Sequence, residues 1–143
     1  MSSLLVGVDR SASSRRAVAF AARFASESGA TLRIVHVIPW SQYTFSTPSE
    51  NEVRSTRKKE EIAAAESQIM VPAIAVTDEF DVTPTTTVVH GNPAEELVSI
   101  AARLGDAHII VGRTGDSKFK QVLFGSTPGK LIQIASTPVT VIP

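Results

Sequence analysis

Residues 109–127 read IIVGRTGDSKFKQVLFGST. Three β-branched residues in succession, Ile109, Ile110 and Val111, suit a strand buried on both faces, as in a parallel sheet. Gly112 ends that run and a long loop follows. Gly125-Ser126-Thr127 then leads into a helical stretch from about Pro128 to Ala135, with Leu131, Ile132 and Ala135 as its expected apolar face. A buried strand that runs through a glycine loop into a helix is half of a βαβ crossover. Four more short apolar runs repeat the signal: Leu4 to Val8, Leu32 to Ile38, Thr86 to Val89 and Val139 to Ile142.

Helical periodicity fills the gaps between these runs. Ala17, Phe20, Ala21 and Phe24 recur at i, i+3, i+4 and i+7, which predicts an amphipathic helix stopped at Gly29. A longer, more polar helix is expected from about Ser49 to Met70, with Pro72 ending or kinking it. Asn92-Pro93-Ala94-Glu95 opens another. Asn92 is its cap, Pro93 suits the first turn, and Glu95 is placed to close a capping box. Leu97, Val98, Ile100, Ala101 and Leu104 form its apolar face, and Gly105 stops it. The order is βαβαβαβαβ. It predicts an α/β fold: a single domain over residues 1–143, an open twisted five-stranded parallel sheet with helices on both faces, Rossmann-like in construction.

Composition narrows the function. The 14 Lys and Arg balance 14 Asp and Glu, so no net field draws the chain to nucleic acid or to an anionic membrane. No cysteine is present, which excludes disulfides, thiolate metal sites and a cysteine nucleophile. The start has no charged segment ahead of a long apolar one, so no signal peptide is expected. The apolar runs are too short to span a bilayer. The expected location is the cytoplasm.

Ligands of open parallel sheets bind beyond the C-terminal ends of the strands. Four places meet that rule: Asp9, Val37 to Trp40, His90-Gly91-Asn92, and the loop after the fourth strand. That loop is the most informative. Its glycines let backbone approach a ligand. The helix start behind Gly125 offers N–H groups and a favourable dipole to an anion, and Ser126 and Thr127 add hydroxyls. Such a loop can wrap a polyphosphate. The same glycines would equally serve as turns between strand and helix.

The spacing Gly-x2-Gly-x9-Gly-Ser at Gly112, Gly115, Gly125 and Ser126 resembles the nucleotide-binding motif of the universal stress protein family. The resemblance covers nearly the whole chain. LLVGVDRSASS at 4–14 is similar to the family's first strand and Val-Asp-x-Ser turn. IVHV at 34–37 resembles its second strand, HGNPAE at 90–95 its Gly-x-Pro-Ala turn, and STPVTV at 136–141 its closing strand. The resemblance implies the fold of the adenine-nucleotide alpha hydrolase-like proteins and a bound ATP, or ADP or AMP, with Mg2+ as a companion ion. It places Gly7, Val8 and Asp9 at the adenine and ribose side and Val37 against the adenine. Val111, Gly112, Thr114, Gly115, Gly125, Ser126 and Thr127 would hold ribose and phosphates. It further implies a regulator or stress-tolerance factor rather than an efficient catalyst, and a homodimer through Val139–Ile142.

Four positions depart from the family pattern. Thr114 replaces a common His, Asp116 a frequent basic residue, and Lys118 a frequent Gly. Pro128 removes one N–H from the phosphate end. Asp116 would repel a triphosphate, while Arg113, Lys118 and Lys120 would offset it. These departures motivate a second reading, a dimeric interaction module of the same fold that needs no nucleotide.

The remaining polar residues are less specific. Asp9 has two compatible roles, ligand contact and N-cap of the first helix, and Ser11 or Ser13 could also cap. His36, His90 and His108 lie on three segments without a ligand spacing, so no metal site is predicted. His36 is expected within or beside the sheet, and His108 near the surface ahead of the fourth strand. No nucleophile elbow, Walker lysine or zincin motif occurs, and no catalytic residue is assigned. Asp9, Asp116 or His90 near a phosphate would support slow ATP hydrolysis at most. The charged run Arg54 to Glu61 reads as a solvated helix face or a partner surface. Trp40, Tyr43 and Phe45 in the loop from Pro39 to Pro48 read as a lid over a base, an oligomer contact or edge packing.

Overall fold

A computed structural model describes residues 2–39, 48–113 and 126–143, the side chains of 48–52 excepted. Thr114 to Gly125, with Thr114, Gly115, Asp116, Lys118, Lys120 and Gly125, lies outside the described residues. So do Trp40, Tyr43 and Phe45.

Five strands are present where β-branched runs predict them: β1 (Ser3–Gly7), β2 (Thr31–Pro39), β3 (Thr85–Gly91), β4 (His108–Gly112) and β5 (Val139–Ile142). All pair in parallel in the order β3-β2-β1-β4-β5. The helices are α1 (Ala12–Ser28), α2 (Pro48–Ala65), α3 (Val71–Asp78), α4 (Pro93–Arg103) and α5 (Thr127–Ile134). The chain builds outward from β1 to β3, then returns to β4 and β5 on the other side. The strand order therefore reverses between β1 and β4.

Strand alternation splits the core into two layers. Leu4, Val6, Val8, Leu32, Ile34 and Ile110 face α1 and the α2–α3 rod. Leu5, Val35, Val37, Ile109 and Val111 face α4 and α5, with Leu97, Ile100 and Leu131 as helical partners. Neither face is left polar, which is why the strands read as continuous apolar runs.

The helix faces correct the sequence reading in several places. The buried stripe of α1 is Ala17, Val18, Ala21, Ala22 and Ala25. Phe20 and Phe24, expected in it, are each 40% exposed. Small residues bring α1 close to the sheet, and a ring does not fit beneath it. The two phenyl rings lie on the flank, 6.3 Å apart, with Phe24 edge-on to His108 at 6.2 Å. Ile132 of α5, also expected inside, is 70% exposed, while Leu131 is fully buried. On α4, Asn92 caps as expected by accepting from the Glu95 N–H at 3.1 Å. The Glu95 carboxylate does not close the box. It takes Lys130 of α5 at 3.1 Å, because α5 packs alongside.

Pro72 does not end the helical stretch. A π turn, Glu66–Met70, joins α2 to α3, and the Val71 N–H reaches back to the Glu66 carbonyl. In an α-helix the Pro72 ring would strike the carbonyl of Gln68. The wider turn just before it removes that clash and brings both Ile69 and Met70 into the core.

Candidate functional site

The site is assembled where β1 and β4 diverge. Gly7 pairs with Val35 on one side and Val111 on the other. Two residues on, Asp9 stands level with the Val37 end of β2 and with Arg113 beyond β4. Val8, Val37 and Val111 have their side chains buried at 7%, 7% and 4% exposure, Val8 in one layer and the other two in the opposite one. What these three valines present at the sheet edge is therefore backbone.

Asp9 is held by its own turn. Its Oδ1 accepts the Ser11 N–H at 2.8 Å, and its N–H donates to Ser14 Oγ at 2.9 Å. It is not the cap of α1. Ser11 is, accepting from the Ser14 N–H at 3.2 Å. Asp9 precedes the cap by two residues.

Two glycines of the predicted set have close neighbours. A Cβ on Gly112 would lie 2.5 Å from Ser13 Oγ, 2.7 Å from Ser13 C and 2.8 Å from Ser14 N. The first turn of α1 therefore rests directly on the end of β4. A Cβ on Gly7 would meet Leu97 Cδ1 at 3.0 Å and Val111 Cγ1 at 3.2 Å. Gly112 is required by packing, whatever binds above it, whereas at Gly7 the neighbours are side-chain methyls that would have to give by a few tenths of an ångström.

Ser126 caps α5, and its Oγ accepts the Gly129 N–H at 3.1 Å. Pro128 has no N–H to give. Of the first-turn N–H groups, that of Thr127 has no acceptor among the described residues. Arg113 follows β4, and its N–H donates to the Ile142 carbonyl at 2.6 Å, which ties β5 to the base of the glycine loop.

The histidines go to three different tasks. His36 sits in β2 with Nδ1 2.7 Å from the Val8 carbonyl. His90 Nε2 meets Glu61 Oε2 of α2 at 2.9 Å. That contact directs Glu61 to the sheet rather than along its own helix face. His108 lies inside β4 rather than ahead of it, half-buried, with Nε2 2.7 Å from Thr140 Oγ1. Burial pushes its pKa below the usual 6.5. Among the described residues no three His, Asp or Glu side chains converge on a point.

A hollow of about 150 Å³ opens beside Asp9, floored by Val8, Val18, Ile69 and Ala73 and rimmed by Arg10 and Gln68. Arg10 donates to Gln68 Oε1 across its mouth at 2.5 Å. It is smaller than the roughly 300–1,000 Å³ of ordinary ligand pockets.

The universal stress protein family model matches residues 1–143. The chain belongs to the universal stress protein family. It is 30% identical to universal stress protein YxiE of Bacillus subtilis, covering 97% of both chains. It is also 30% identical to universal stress protein Rv1996 of Mycobacterium tuberculosis, spanning 98% of this chain and 47% of that protein. Among solved structures, UspA of Lactobacillus plantarum superposes with a TM-score of 0.84 at 26% identity, covering 99% of this chain and 97% of that one. A universal stress protein solved in complex with cAMP matches with a TM-score of 0.71 at 25% identity, over 99% and 95% of the two chains. No helix among the described residues of this family member is long and apolar enough to cross a membrane.

His36 and Ser14, whose side chains hydrogen-bond the Val8–Asp9 peptide, are absent from the sequence-based site. Alternation places His36 on the α1 side of β2, but the carbonyl it meets belongs to Val8, just past the end of β1.

Proposed function

We propose that this universal stress protein is a regulatory protein that binds an adenine nucleotide, ATP ahead of ADP or AMP, across the C-terminal ends of β1, β2 and β4. The observation that carries the reading is the convergence, at the β1–β4 switch point, of the Asp9 carboxylate, the end of β2 and the start of the glycine loop at Gly112. The related protein in complex with cAMP supports the ligand class. Asp9 offers acceptor oxygens to hydroxyl and amino groups. The Gly7–Val8, Val37 and Val111–Gly112 backbone borders the base and ribose. Thr114, Gly115, Gly125, Ser126 and Thr127 take the phosphates. The hollow beside Asp9 is too small for a whole nucleotide, so the ligand lies over the sheet edge. Mg2+ arrives with the phosphates and keeps most of its water. The outcome of binding is a changed surface or dimer in the cytoplasm, with hydrolysis slow at most.

Calorimetric titration of nucleotide-free protein with Mg-ATP tests this, with Gly115→Val as control. Saturable micromolar binding lost in the control is expected. Absence of heat at millimolar ATP, with the fold intact, overturns it.

A nucleotide-independent interaction module is the second reading. It is favoured by the start of α5, where Pro128 has no N–H and Ser126 occupies that of Gly129. It predicts that Gly115→Val leaves function unchanged.

A further inference from the structure

β1 ends at Gly7, yet the peptide that follows the next residue is fixed as firmly as one in the ladder. Val8 still donates its N–H to the Val35 carbonyl at 2.8 Å, a last backbone link to β2. Among the described residues the next peptide, between Val8 and Asp9, has no backbone partner. Its carbonyl is taken by His36 Nδ1 at 2.7 Å, and its N–H by Ser14 Oγ at 2.9 Å. One side chain comes from β2 and the other from α1. Both ends of a single peptide plane are therefore pinned by side chains of different elements, just ahead of the carboxylate at the switch point.

We infer that His36 is a positioning residue that aims the Asp9 carboxylate through the Val8–Asp9 peptide, with Ser14 as its counterpart. A carbonyl only accepts, so His36 Nδ1 must carry the proton. The peptide plane fixes where the Asp9 Cα–Cβ bond points. The Ser11 N–H then fixes Oδ1 at 2.8 Å. Without the histidine the Val8 carbonyl would have no donor among the described residues, and the plane would be freer to rotate. Such a rotation would displace the carboxylate, and interactions with a ligand are sensitive to displacements of that size.

The inference rests on the nucleotide-binding reading for its ligand, but the clamp can be tested without one. Two variants separate geometry from stability. Asn places its side-chain N–H close to where His Nδ1–H sits, so His36→Asn keeps the donor; His36→Leu removes it. With His36→Leu folded, ATP binding measured by calorimetry is expected to weaken about tenfold, the factor of 1.4 kcal/mol. His36→Asn is expected to stay within about threefold of the parent, on the same scale. Amide exchange at Asp9 should rise in His36→Leu and not in His36→Asn, with or without nucleotide. Equal affinity and equal Asp9 exchange in all three proteins overturns the positioning role, as does equal loss in Asn and Leu. If the parent binds no ATP while Asp9 exchange still separates the variants, the nucleotide reading fails and the clamp stands.

Discussion

Gly112 shows how one residue can answer to two demands. Its place in the glycine motif suggests ligand contact, and its surroundings show a steric one. Any Cβ there would press on Ser13 and Ser14, backbone atoms included, at 2.5–2.8 Å. Backbone cannot swing aside as a flexible side chain does. Gly112→Ala should therefore destabilise the fold by about 1–3 kcal/mol, the usual cost of overpacking. Chemical denaturation read by circular dichroism checks this. An unchanged midpoint would mean that the α1 start yields, and that the glycine is kept free for a ligand alone. The valines around it teach a related lesson. Val8, Val37 and Val111 are buried core residues, so substituting their side chains reports on packing before it reports on binding.

At the scale of elements, β5 is the informative one. It is a four-residue edge strand whose residues are all half-buried. Its inner hydrogen bonds run from the Ile109 N–H to the Pro138 carbonyl and from the Arg113 N–H to the Ile142 carbonyl. In a parallel ladder the inward groups alternate, so Val139 and Val141 point their N–H groups outward. A homodimer built on Val139–Ile142 would use those groups. Val141→Pro removes one of them and leaves the inner ladder intact. If the parent sediments as such a dimer, sedimentation velocity should show Val141→Pro as a monomer. A dimeric Val141→Pro protein with unchanged affinity would exclude this edge as the contact. The π turn before α3 is the other element that spacing alone did not reveal. The helical pattern runs through Pro72, and only the packing of Ile69 and Met70 shows how the chain accommodates it.

At the scale of the whole molecule, His108 links stability to pH. Its imidazole is half-buried between Thr140 and Phe24, and burial lowers its pKa below 6.5. The folded protein therefore binds that proton less readily than the unfolded chain does. Between the lowered value and 6.5, the unfolded state holds more proton, so stability rises with pH. The contribution is complete above 6.5 and is lost as pH falls through that window. Melting temperature should drop on acidification from pH 7 towards 5, and His108→Gln should flatten that slope. An identical slope in His108→Gln would assign the effect to other groups.

The sequence by itself determined the class of fold, the five strands and their order along the chain. Continuous β-branched runs separated by helical stretches have few compact solutions, and right-handed crossovers leave a parallel sheet. It also marked the end of the sheet where Asp9 and Gly112 would meet. Tertiary structure alone decided which helix residues face inward, because that depends on how near each helix lies. Alanines let α1 approach and so expelled Phe20 and Phe24, and α5 buries Leu131 while exposing Ile132. It alone also joined His36 to Val8 and Ser13 to Gly112, residues 28 and 99 positions apart in the chain. Periodicity reports a residue's environment relative to its own element. A hydrogen bond between elements depends on the register and distance of both, which no local pattern contains.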